Sequence, residues 1–130
     1  MLKKRIIPKI LVKNYKIGNN NRPVSVTSQN FKNYRKVGDP ISQAKIFQSQ
    51  LADELVVLNI DGTNVEYKIQ FNEIIKKLTT NIFMPIAIGG GIRKLSDIND
   101  LLDIGADKII INSIAIQNPN LIYKAAKLYG

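Results

Sequence analysis

Three observations predict an α/β chain built on a parallel sheet. Four short apolar runs, at residues 5–12, 54–59, 85–88 and 108–111, are separated by stretches that carry helical spacing. The runs are nearly continuous in apolar residues, as strands buried on both faces are. One stretch, Pro85 to Asn112, holds a complete βαβ unit: an apolar strand, Gly89-Gly90-Gly91, an amphipathic segment, and a second apolar strand after Gly105-Ala106-Asp107.

Arg5 to Val12 reads as the first strand, with Arg5, Ile7, Lys9 and Leu11 on one face; Lys9 sits badly in a sealed core. Lys13 to Lys36 is polar and rich in turn formers, which predicts a long loop with at most a small ribbon at Val24 to Thr27. Gly38-Asp39-Pro40 then starts a helix, Asp39 capping and Pro40 in the first turn, with Ile41, Ala44, Ile46 and Phe47 toward the sheet, ending near Leu51.

Glu54 to Asn59 is the second strand, followed by a loop from Ile60 to Lys68 that contains Asp61-Gly62-Thr63-Asn64. A helix over Phe71 to Leu78 buries Phe71, Ile74, Ile75 and Leu78. The third strand, Pro85 to Ile88, stops at the triple glycine. Ser96 is the expected cap of the next helix, whose buried stripe is Ile98, Leu101, Leu102 and Ile104 and which Gly105 ends. Lys108 to Ile111 forms the fourth strand, with Asn112 and Ser113 at its carboxyl end, where ligands of such sheets bind. Asn118 and Pro119 open a last helix through Leu128.

Four βα units are half of the eight that a TIM barrel builds from about 250 residues. The expected fold is therefore a parallel (β/α)4 half-barrel in one domain over residues 1–130, with a small open sheet as the alternative. Its first and fourth strands would then carry unpaired edges, to be covered by a second copy in a homodimer or by a missing carboxyl-terminal half.

Composition narrows the chemistry. With 45% hydrophobic and 22% charged residues the chain suits a soluble globular domain, and no apolar run nears the roughly 18 residues of a membrane span. The early lysines are not followed by an uninterrupted apolar core and a cleavage site, so a cytoplasmic protein without membrane contact is expected. The absence of Cys and His removes thiolate nucleophiles, imidazole bases and the usual zinc sites, leaving Asp, Glu, Lys and Tyr for proton transfer. No metal and no cofactor are expected. The net charge of +9 reads as dispersed lysines without interleaved aromatics, so no nucleic-acid partner is expected; phosphorylated metabolites or acidic proteins fit such a surface better.

Six blocks carry a family resemblance: Met1-Leu2-Lys3-Lys4-Arg5-Ile6-Ile7-Pro8, Gly38-Asp39-Pro40, Asp53-Glu54-Leu55-Val56, Gly89-Gly90-Gly91-Ile92-Arg93, Gly105-Ala106-Asp107-Lys108 and Ile111-Asn112-Ser113. In order and spacing they resemble the amino-terminal half of the cyclase subunit of imidazole glycerol phosphate synthase. The resemblance implies a barrel that receives ammonia from a glutaminase subunit and uses it on a phosphorylated ribosyl substrate to close the imidazole ring. By position it implies that Arg5, Glu54 and Lys108 belong to the charged ammonia entrance, that Asp107 faces the glutaminase, and that Gly90, Gly91, Asn112 and Ser113 cradle a substrate phosphate. Exposed backbone N–H groups are suited to that last task.

The same alignment of blocks shows departures. Leu11 stands where the cyclase has a catalytic aspartate, Ala87 and Ile110 replace hydroxyl residues inside the barrel, and the second catalytic aspartate lies on a fifth strand beyond this chain. General acid–base chemistry needs a proton-carrying group within reach, and leucine has none. A cyclase-like branch associated with surface-polysaccharide sugar amidation resembles this pattern better; there the barrel relays ammonia to a separate sugar amidotransferase. Read without the resemblance, the glycines permit a tight turn, the three charged residues form an ion-pair cluster, Asp107 is a loop aspartate, and Asp61 is a turn residue.

Overall fold

The computed structural model describes residues 2–62 and 64–130. Met1, in the first block, and Thr63, in the loop after the second apolar run, lie outside the described residues. The core is a parallel sheet of four strands, β1 (Lys9–Ile17), β4 (Leu55–Asn59), β5 (Ile86–Gly89) and β6 (Lys108–Ile110), extended by two antiparallel strands, β2 (Asn20–Gln29) and β3 (Lys32–Gly38). The order across the sheet is β3-β2-β1-β4-β5-β6, and it does not close on itself. Helices α1 (Pro40–Ser49), α2 (Val65–Asn81), α3 (Leu95–Asp103), α4 (Ser113–Gln117) and α5 (Pro119–Tyr129) follow the strands in the βα order of a partial barrel.

The parallel register fixes two faces. Lys9, Val56, Ala87 and Lys108 align in one row across the strands, and Leu11, Leu58, Gly89 and Ile110 in the next. This is the inner face, which points to the barrel axis. The residues between them, Ile10, Val12, Leu55, Val57, Ile86 and Ile88, join Ala44, Phe71, Ile75, Leu78, Ile98 and Leu101 in the buried layer under the helices. Leu55 and Ile88 are fully buried there. Truncating either to alanine would cost about 2–5 kcal/mol.

The largest departure from expectation is at residues 13–36. Instead of a loop, β1 runs on to Ile17 and pairs with β2 from Leu11–Val26 to Ile17–Asn20, and β2 pairs with β3. Turns at Gly18 and at Asn30-Phe31, where the backbone is left-handed, join the three strands. The polar residues stay in strands because each strand supplies the next one's hydrogen bonds. The edge of β1 from Leu11 onward is therefore paired, and the exposed edges are β3 and β6.

Smaller differences have local causes. Arg5 to Pro8 is not strand, although the Ile6 and Pro8 carbonyls still accept from Asp53 and Val56. Helix α2 begins at Val65 because the Asn64 side chain accepts from the Glu66 N–H. Ser96 lies inside α3 and does not cap it; the Asp97 carboxylate instead accepts from the Arg93 and Lys94 N–H groups ahead of the helix. Asn118 makes no side-chain cap, and in α1 Ile46 is 54% exposed, whereas Ala44 is buried and Ile41 and Phe47 pack partly buried against the core as expected. The Asp39 cap holds as expected, accepting from the Ser42 N–H at 2.8 Å.

Candidate functional site

At the carboxyl ends of β4, β5 and β6 lies a cavity of about 670 Å³ lined by Asn59, Gly90, Gly91, Arg93, Asn112 and Ser113 among others. The sequence had singled out Gly90, Gly91, Asn112 and Ser113, and they do meet here. Arg93 and Asn59 are additions. Arg93 stands two residues past the glycines and adds a cationic residue to a lining that otherwise holds glycine backbone, the Ser113 hydroxyl, side-chain amides and several leucine and isoleucine side chains.

The glycines are required by close approach. A Cβ on Gly90 would stand 2.1 Å from the Asn59 carbonyl oxygen, and one on Gly91 would stand 2.1 Å from that of Gly62. Both have positive φ, 97° and 73°. The turn after β5 is thus pressed onto the turn after β4, leaving its other side open to the cavity. The structural reading and the ligand reading of this cluster are compatible.

Two carboxylates hold these turns. Asp61 accepts from the Asn14 N–H at 2.7 Å and from Lys13 Nζ at 2.8 Å, which ties the β4 turn to β1 and keeps the Lys13 ammonium pKa above its ordinary value. Asp61 is therefore a fastener, in line with its reading as a turn residue. Asp97 accepts from Arg93 and Lys94 and pairs with Lys68 of α2. Burial opposes its ionisation, but the Lys68 bond and the two N–H groups outweigh it, and its pKa falls below the ordinary carboxylate value. A depressed folded-state pKa adds stability above the unfolded value, which is lost as pH falls through the folded one. Asp97→Asn should accordingly flatten the acid limb of a urea-midpoint profile between about pH 5 and pH 2; an unchanged limb would show that the clamp adds nothing.

At the opposite end of the inner face, Glu54 is 5% exposed and accepts from Lys108 Nζ at 3.0 Å and from Arg5 Nη1 at 3.3 Å. The three residues meet from separate segments, while both cations stay more than half exposed. Asp107 is exposed, yet its carboxylate accepts from the Ile86 N–H at 2.8 Å and its own N–H donates back to Ile86 O, so part of its role is to start β5 beside β6. Leu51 (86% exposed) and Phe83 (90%) stand in the loops at this same end.

Leu11 is buried in the inner row with Leu58, Gly89 and Ile110 and pairs across to Val26. That row holds no ionisable group. Among the described residues no cluster of three or more potential metal ligands occurs, and no helix is long and apolar enough to cross a membrane.

Comparison with known proteins places the chain in a family. Residues 5–130 match the model of the histidine biosynthesis protein family. The whole chain aligns with imidazole glycerol phosphate synthase subunit HisF of Bacteroides thetaiotaomicron at 44% identity, covering 48% of that protein. It aligns with the same subunit of Bacteroides fragilis at 43% and of Hydrogenobaculum sp. at 42%, again over all 130 residues and 48% of each relative. The chain thus spans about half the length of the curated relatives it matches.

Proposed function

The chain belongs to the histidine biosynthesis protein family, and from that premise we propose that it acts as the amino-terminal half of a cyclase-type barrel, of the imidazole glycerol phosphate synthase kind. In this reading a phosphorylated small molecule binds at the carboxyl ends of the strands, and ammonia from a glutaminase subunit enters at the amino ends. The observation that carries it is the pairing of two sites on one inner face: the cavity at Gly90, Gly91, Asn112 and Ser113 at one end, and the Arg5–Glu54–Lys108 cluster at the other.

The chemistry of each end supports the assignment. The left-handed Gly90 and Gly91 line the cavity without side chains, and Arg93 adds positive charge, so a phosphate there would draw on amide donors and a charge-assisted bond. At the amino end, two cations beside one carboxylate repel ammonium and leave neutral ammonia free to pass. Exposed Leu51, Phe83 and Asp107, all in loops at the amino ends of the strands, give a glutaminase apolar and acidic groups to dock on. The open β6 edge and the inner face are covered by a carboxyl-terminal half or, for this chain alone, by a second copy. Light scattering over a concentration series tests this, and a monodisperse monomer at tens of micromolar would refute it.

Titration with inorganic phosphate, followed by backbone amide shifts, tests the site. Gly90, Gly91, Asn112 and Ser113 should move together and saturate; amides that stay still at millimolar phosphate would overturn the reading.

A second reading, that the barrel relays ammonia to a separate sugar amidotransferase for surface-polysaccharide amidation, draws on one observation. The inner row of Leu11, Leu58 and Ile110 offers passage without a proton carrier. The names of the relatives favour the histidine-biosynthesis reading.

A further inference from the structure

The positive charge is not dispersed as the sequence reading held. Ten of the nineteen Lys and Arg residues, and none of the ten Asp and Glu, lie in residues 1–38, which therefore carry +10 while residues 39–130 carry −1. Six of those ten cations belong to the segment from Lys13 to Lys36 and so to the three-stranded β1-β2-β3 ribbon. Aromatic residues are interleaved among them: Lys36 Nζ stands 4.2 Å from the Tyr15 ring centroid, and Lys13 Nζ 5.2 Å from that of Tyr34.

β3 ends the sheet on this side, and among the described residues no strand pairs with its outer edge. Lys32, Arg35, Lys36 and Val37 along it are exposed. The turn that presents it, Asn30-Phe31, puts two non-glycine residues at φ 52° and 57°, with the Phe31 ring 71% exposed at the tip. Left-handed backbone at both residues is what a two-residue hairpin turn requires, and it sets the start of β3.

We propose that the outer edge of β3 takes up an extended acidic segment of a partner polypeptide as an added strand. The backbone edge past the left-handed Asn33, from Tyr34 to Val37, supplies the hydrogen bonds, and Arg35 and Lys36, on opposite faces, supply the charge selection. Lysines on an edge strand ordinarily guard against pairing. That guard works only against a neutral or like-charged strand, so it excludes a second copy of this ribbon and admits an acidic one. A carboxyl-terminal half would extend the parallel sheet beyond β6, leaving β3 open. Single-stranded nucleic acid fits less well, because it needs bare ring faces for stacking. Here lysines stand over the rings of Tyr15 and Tyr34, so of the ribbon's aromatics Phe31 alone, at the tip, offers a bare face, too few for a row of stacked bases. The inference does not depend on the catalytic reading.

The test is an amide-shift titration of the full chain with an alternating Glu-Thr octapeptide, beside a Lys-Thr octapeptide and a thymidine octanucleotide. The acidic peptide should move the amides of residues 32–38 saturably, and its affinity should fall as salt rises to about 300 mM. Arg35→Glu with Lys36→Glu should weaken it by about tenfold or more, and the neutral pair Arg35→Gln with Lys36→Gln by less. If the charge-reversed protein does not fold, the neutral pair alone must still weaken binding. No movement at millimolar peptide would overturn the proposal. So would an equal or stronger response to the basic peptide or the oligonucleotide, or a neutral pair that binds as the parent does.

Discussion

Gly90→Ala should lower stability by about 3 kcal/mol or more and the melting temperature by about 10 °C, and should remove phosphate-induced shifts in the neighbouring amides. Two effects add. The backbone at φ 97° disfavours any side chain, and the new Cβ would meet the Asn59 carbonyl oxygen at 2.1 Å. That oxygen belongs to backbone at the end of β4, so relief requires moving the whole turn. Gly18→Ala is the matched control: φ is also positive, at 61°, but nothing lies within 4 Å of the added atom. It should show only the conformational cost, about 1 kcal/mol. Thermal unfolding by circular dichroism separates the two, and equal losses would mean that the close approach between the turns is not what demands glycine at position 90.

The contrast between these two glycines also shows what a sequence can and cannot disclose. That residues 89–91 form a tight turn follows from composition and from the apolar strand before it. That Gly90 and Gly91 are held by the turn after β4 depends on Asn59 and Gly62, which no local pattern joins to them. The parallel strands were legible because burial on both faces leaves an apolar run, and the Asp39-Pro40 start of α1 because a cap is a local device. The β1-β2-β3 ribbon was not, since its strands are polar and their pairing satisfies partners remote in sequence. A loop of that length in so small a domain was itself a warning. Likewise, the Lys68–Asp97 pair spans 29 residues and the Lys108–Glu54 pair spans 54, distances across which periodicity says nothing. The grouping of Arg5, Glu54 and Lys108 came from resemblance, and the Asp97 clamp had only a weak signal, an acidic residue in the first turn of a helix.

Leu11→Asp should not create cyclase turnover, and neither should the unaltered chain show any with ammonium salts as the nitrogen source. Position 11 sits in the inner row between Val26 and Leu58, where leucine cannot carry a proton. An aspartate placed there would lose the packing of a buried leucine and bring a charge into an apolar row, a penalty of about 2–4 kcal/mol. Its nearest cations on the same face offer little relief. Lys9 is exposed, and Lys13 is already bonded to Asp61 at 2.8 Å, so the new carboxylate could gain Lys13 only by loosening the tie between β1 and the β4 turn. One carboxylate, moreover, supplies one proton-transfer group, whereas ring closure with ammonia needs groups to remove and to return protons. Urea unfolding reads the stability loss, and a single-turnover assay with the phosphorylated ribosyl substrate reads the chemistry. Product above background from the variant would show that the inner row needs only one carboxylate to become an active site; product from the unaltered chain would show that proton transfer is supplied from elsewhere on its surface.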